Sequence, residues 1–153
     1  MKYIQQIALV AGLSVLGGMA TAEGAFDGAI KARQSLMRLN AFTIGQMAAM
    51  AKGEVPYDAA AAQGLADNMM ALTTLDTMAM WPAGSDNGAN EGTKALPAIW
   101  ADGSDILTKV GAWVDASKAM QVAAGTDLAA MQGAMDGLGG ACGGCHKAFR
   151  ASN

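Results

Sequence analysis

Apolar positions along the chain fall into four long stretches with helical spacing, separated by three connections rich in helix-breaking residues. In the first stretch, from about residue 25 to 52, Ile30, Met37 and Ile44 repeat every seven positions, with Phe26 and Met47 beside that stripe. Arg33 falls on the same face one turn before Met37, and a charge on an inward stripe needs a partner. Gly53-Glu54-Val55-Pro56-Tyr57 then breaks the pattern, and Asp58 is suited to cap the next helix. The second stretch, from about 59 to 80, places Leu65, Met69, Leu72 and Leu75 on or near one face and ends at Trp81-Pro82. From Ala83 to Pro97 the chain is rich in Gly, Asn, Asp and Ser and reads as its longest irregular segment.

A third helix is expected from about 98 to 124, where Ile99, Ile106, Trp113 and Met120 recur every seven residues with Val110 between them. Gly125 is a stop, and Thr126 is the expected cap of the last helix. In that helix Leu128, Met131, Met135, Leu138, Cys142, Cys145 and Phe149 alternate spacings of three and four, the seam of a helix packed in a bundle. Four amphipathic helices with mostly short connections predict an all-α, antiparallel four-helix bundle.

The seam ends in chemistry. Cys142-Gly143-Gly144-Cys145-His146 has the Cys-x-x-Cys-His spacing that attaches c-type haem. Two thiols add across the haem vinyl groups, and the adjoining imidazole is placed to ligate the iron. On a helix, residues three and four apart share a face, so all three side chains reach one macrocycle. A thioredoxin-like redox pair expects a βαβ setting that this chain lacks. A zinc site needs about four ligands, and the chain has only two cysteines and one histidine. Because the cysteines continue the core seam, the expected haem c, one per chain, lies inside the bundle.

Composition narrows the class. The 153 residues are 52% hydrophobic, enough for a single domain with a real core. Of the twelve methionines, Met1 and Met19 fall in the leader described next, and the rest read as flexible core filling. Lys2, the apolar run from Ile7 to Leu16 and Ala20-Thr21-Ala22 form a secretory leader, so residues 1–22 are expected to be cleaved and 23–153 to form the mature domain. The apolar run is short for a membrane span, so no membrane association is expected after cleavage. The expected location is the periplasm, an oxidising compartment in which two free cysteines would otherwise tend to pair. The formal charge of −3 and the lack of a basic patch make nucleic acid an unsuitable partner.

An exported four-helix chain with Cys-x-x-Cys-His at its C-terminal end resembles the cytochrome c′ family, the class II c-type cytochromes. Arg33-Gln34-Ser35-Leu36-Met37 is similar to the first-helix segment that lies over the haem. Lys52 to Asp58 resembles the first connection, Pro97-Ala98-Ile99-Trp100 the approach to the third helix, and Cys142 to Arg150 the haem-binding helix. The resemblance implies that Cys142 and Cys145 bind haem covalently and that His146 is the proximal iron ligand. It also implies that Arg33 and Gln34 contact the haem at its propionates, an Arg–carboxylate pair that would explain the charge on the inward stripe. Lys94 and Arg150 occupy positions that approach the haem or the imidazole edge.

For Met37 the resemblance implies two alternatives. As the sixth iron ligand it makes the protein a low-spin electron carrier serving periplasmic redox partners. As a pocket wall it leaves a five-coordinate iron that binds nitric oxide or carbon monoxide. An enzyme such as a peroxidase is not expected, because the single histidine is committed to the iron and no distal acid–base residue lies on the first stripe. The resemblance also implies a homodimer through the first two helices, the arrangement that members of the family commonly adopt.

Overall fold

A computed structural model describes residues 24–152; the expected leader and Glu23 lie outside them. The described residues form four α-helices: α1 (Asp27–Ala51), α2 (Ala59–Thr73), α3 (Ile106–Ala123) and α4 (Leu128–Phe149). One-turn 3-10 helices at Met78–Met80 and Pro97–Trp100 punctuate the long α2–α3 connection. The architecture is a four-helix bundle, and no described residue belongs to a β-strand.

Local chemistry sets the helix ends. Asp58 Oδ1 accepts the Ala61 N–H at 2.8 Å and starts α2, as expected. Gly53, with φ of 72°, ends the turn after α1 in a left-handed conformation that side chains resist. Three boundaries differ from the sequence reading. The second helix stops at Thr73, where the hydroxyls of Thr73 and Thr74 bond back to the Met70 and Ala71 carbonyls at 2.7 and 2.8 Å. Pro97–Trp100 is a separate turn, because Gly103 at φ 78° reverses the chain before α3 can begin. Asp127, rather than Thr126, caps α4 by accepting the Ala130 N–H at 2.8 Å.

The bundle is divided along its length. At the end formed by the short α1–α2 and α3–α4 connections, Met47, Met69, Met120, Met131 and Leu138 are fully buried against Ala62, Ala66 and Ala124. Alanines let the helices approach, and unbranched methionines fill the irregular gaps that remain. Each buried side chain of this size is worth about 1.5–3 kcal/mol in removed apolar surface. At the opposite end a smaller cluster gathers Ala95, Ile99 and Phe149, flanked by Trp81, Trp100, Ile106 and Cys145. Between the two the stripe residues Met37 and Val110 are exposed, because here the helices stand apart. Among the described residues no helix is long and apolar enough to cross a membrane.

Candidate haem site

The gap is a single cavity of about 1050 Å³. Helix α1 contributes Arg33, Gln34, Met37 and Asn40 to its lining, α3 Ile106, Val110 and Trp113, and α4 Cys142, Cys145 and His146. The α2–α3 connection closes one side with Trp81, Lys94, Ile99 and Trp100, and Phe149 and Arg150 close the base. All eight residues singled out in the sequence therefore line one space. Its volume lies just above the ~300–1,000 Å³ typical of ligand sites.

The attachment residues are placed by helix periodicity. Cys142, Cys145 and His146 are half-buried on α4, four and more residues beyond the fully buried Leu138. Both cysteines are free thiols. Burial pushes both thiol pKa values up, and for Cys145 the neighbouring Cys142 adds to the rise while Lys109 opposes it. The pair is thus held as thiols rather than as reactive thiolates. Burial also lowers the His146 pKa, and the positive charge of Arg150 lowers it further. A lowered pKa favours the neutral imidazole, the form that can donate to a metal. Two thiols and a neutral imidazole on one face of an apolar cavity of this size fit a covalently attached, iron-bearing macrocycle.

Arg33 is buried, 3% exposed, and its partners are not carboxylates. Nη1 donates to the Met80 carbonyl at 3.3 Å and to Ser85 Oγ at 2.6 Å. Nη2 donates to the Ser85 carbonyl at 2.5 Å and to Thr93 Oγ1 at 2.8 Å. The guanidinium carbon stands 4.9 Å from the Trp81 ring centre and 6.0 Å from that of Trp100, within cation–π range. Burial lowers the Arg33 pKa and nearby Asp86 raises it. The expected Arg–carboxylate pairing with a propionate thus meets a side chain whose four Nη hydrogens already have acceptors in the α2–α3 connection. Gln34 is similarly engaged, with Nε2 donating to the Gly92 carbonyl at 2.6 Å.

The connection is also tied to α4. Leu96 N–H donates to the Phe149 carbonyl and Ala151 N–H to the Lys94 carbonyl, both at 2.9 Å, around an antiparallel bridge between Ala95 and Arg150. Trp100 Nε1 donates to the Trp81 carbonyl at 3.0 Å, which holds the two indoles together. The apolar pattern of the sequence did not mark Trp81, Thr93 and Trp100 as parts of the site wall, nor the fully buried Ser85 as the residue that holds Arg33. The buried arginine was the available signal, since it required partners from elsewhere in the chain.

Comparison with known proteins decides the family. A family model described as "Cytochrome C'" matches residues 28–150. The chain belongs to the cytochrome c′ family. Over 150 residues it is 41% identical to a cytochrome c-554 of Cereibacter sphaeroides, covering 98% of each chain. The solved structure of a cytochrome c′ from Rhodobacter Spheriodes superposes with a TM-score of 0.80 at 36% identity, over 83% of this chain and 98% of that one. A nitric oxide complex of a mutant cytochrome c prime from Alcaligenes xylosoxidans superposes with a TM-score of 0.69 at 33% identity, over 81% of this chain and 94% of that one. The cofactor of the family is covalent haem c with its iron, and Cys142 and Cys145 are the two cysteines present for its attachment. This is a haem c cytochrome of the cytochrome c′ type, in a family of electron-carrying and ligand-binding haem proteins rather than enzymes of the usual kind.

Proposed function

We propose that this cytochrome is a periplasmic electron carrier whose iron is ligated by His146 and Met37. The observation that carries this reading is that Met37, on α1, and His146, on α4, line the same cavity from different helices. Met37 is 40% exposed although it lies on the inward stripe, so its thioether is open to that space instead of packed in the methionine core. When bound, haem c supplies a one-electron iron couple whose potential is raised by His/Met ligation.

The chain's own residues do the rest. Cys142 and Cys145 anchor the macrocycle to α4, His146 donates a neutral imidazole nitrogen, and the walls of Ile99, Trp100, Val110 and Trp113 exclude water. Arg150 favours the neutral imidazole through its charge. Substituting Met37→Leu tests the reading. A switch from low to high spin with new carbon monoxide binding supports it, and an unchanged spectrum contradicts it.

A second reading has its own support. The nitric oxide complex of a relative with the same fold fits a distal cavity open to a small neutral gas, with Met37 as a wall and His146 as sole axial ligand. Peroxidase-type catalysis is not part of either reading.

Export with cleavage after Ala22, leaving residues 23–153 as the mature domain, belongs to the same proposal. So does homodimerisation through α1 and α2. It is supported by a groove of about 340 Å³ between them, lined by Leu39, Phe42, Leu65 and Leu72, where Phe42 is 61% exposed. Sedimentation of the protein and of Phe42→Asp reads the association directly.

A further inference from the structure

Arg33 joins parts of the chain that the bundle alone would leave independent. It lies one turn before Met37 on α1, and it grips the α2–α3 connection at Met80, Ser85 and Thr93, residues 47 to 60 positions away. Thr93 Oγ1 accepts a second hydrogen bond, from the Ala95 N–H at 3.1 Å. Ala95 is bridged to Arg150, one turn past His146, and the flanking Leu96–Phe149 and Ala151–Lys94 hydrogen bonds complete that junction. A continuous strap therefore runs from α1 through Arg33, Thr93 and Ala95 to the end of α4.

The geometry points to Arg33 as a positioning residue. It fixes the Trp81–Trp100 wall of the cavity and, through the strap, the spacing between the helix bearing Met37 and the helix bearing His146. This role rests on the haem-site reading above, but not on whether Met37 ligates the iron. A charge partner for the cofactor needs only a positive end. A clamp needs the planar fork, because only a guanidinium directs four Nη hydrogens to Met80, Ser85 and Thr93 at once. A lysine at position 33 keeps the charge and loses that geometry, which separates the two roles.

The test uses the holoprotein and three variants: Arg33→Lys, Thr93→Val and Thr93→Ser. Thr93→Val leaves α1 untouched and removes only the hydroxyl at the middle of the strap, so it remains informative if the arginine variant folds poorly. Thr93→Ser restores the hydroxyl. Amide hydrogen exchange at Leu96 and Ala151 reads the junction with α4, exchange at Met69 in α2 is the internal control, and the reduction potential reads the iron environment.

The strap predicts roughly 2- to 30-fold faster exchange at Leu96 and Ala151 in both Arg33→Lys and Thr93→Val. It further predicts a shifted potential in both, unchanged exchange at Met69, and wild-type behaviour in Thr93→Ser. Wild-type exchange and potential in Arg33→Lys would overturn the inference, since charge alone would then suffice. A shifted potential with unchanged exchange at Leu96 and Ala151 would equally overturn it. The spectrum of the unmodified protein independently reads the coordination state, so failure of the ligation proposal is not confused with failure of the strap.

Discussion

The Tyr57 hydroxyl donates to the Ala124 carbonyl at 2.8 Å and links the α1–α2 connection to the end of α3. The two residues are 67 positions apart, so the bond closes the end of the bundle remote from the haem cavity. Tyr57→Phe keeps the ring packed against the methionine core and removes only the donor. The expected cost is about 0.5–1.5 kcal/mol in urea unfolding, with covalent haem content and visible spectrum unchanged.

Leu138 stands between the methionine core and the attachment cysteines, fully buried on α4 one turn before Cys142. Leu138→Ala should lower stability by about 2–5 kcal/mol, because the loss combines transfer energy with a residual cavity. Denaturant unfolding measures the loss. A cost below about 1 kcal/mol would mean that the helices collapse into the space.

The proposed anchoring gives each thiol its own link to the haem. Cys142→Ser and Cys145→Ser are each expected to leave one covalent link, and the double variant none. Haem that remains with the chain through denaturing electrophoresis reports the difference. Retention by the double variant would refute attachment at these positions.

Asp67 gives a pH signature at the other end of the molecule. Its carboxylate accepts hydrogen bonds from Gln121 and Gln63, each at 2.9 Å, and these lower its pKa. A folded-state pKa below the unfolded value of about 3.9 means that the contribution is full above that value and is lost as pH falls through the folded pKa. The side chain is exposed, so the effect is small. The stability difference between the wild type and Asp67→Asn should be constant above about pH 5 and shrink below about pH 4, followed by denaturant midpoints across that range.

The last helix was legible in the sequence because Leu128 to Phe149 keep one spacing over six turns and the haem cysteines obey it. The α2–α3 connection was not. Its helix ends depend on threonine hydroxyls bonding backwards at residues 73 and 74 and on a left-handed Gly103, features that apolar periodicity does not register. Arg33 could be recognised as a buried charge in need of partners, but Ser85 and Thr93 lie 52 and 60 residues away, and only the fold brings them together. Met37 shows the remaining limit. A heptad stripe marks it as inward, whereas whether inward means core or cavity depends on how far α1 and α4 stand apart.

The most direct test of the central claim is the optical spectrum of the holoprotein, oxidised and reduced, before and after carbon monoxide. Ligation by His146 and Met37 predicts a low-spin spectrum in both states, a sulfur-to-iron charge-transfer band when oxidised, and little response to the gas. A high-spin spectrum that shifts on adding carbon monoxide would contradict it and make Met37 a wall of a gas-binding cavity.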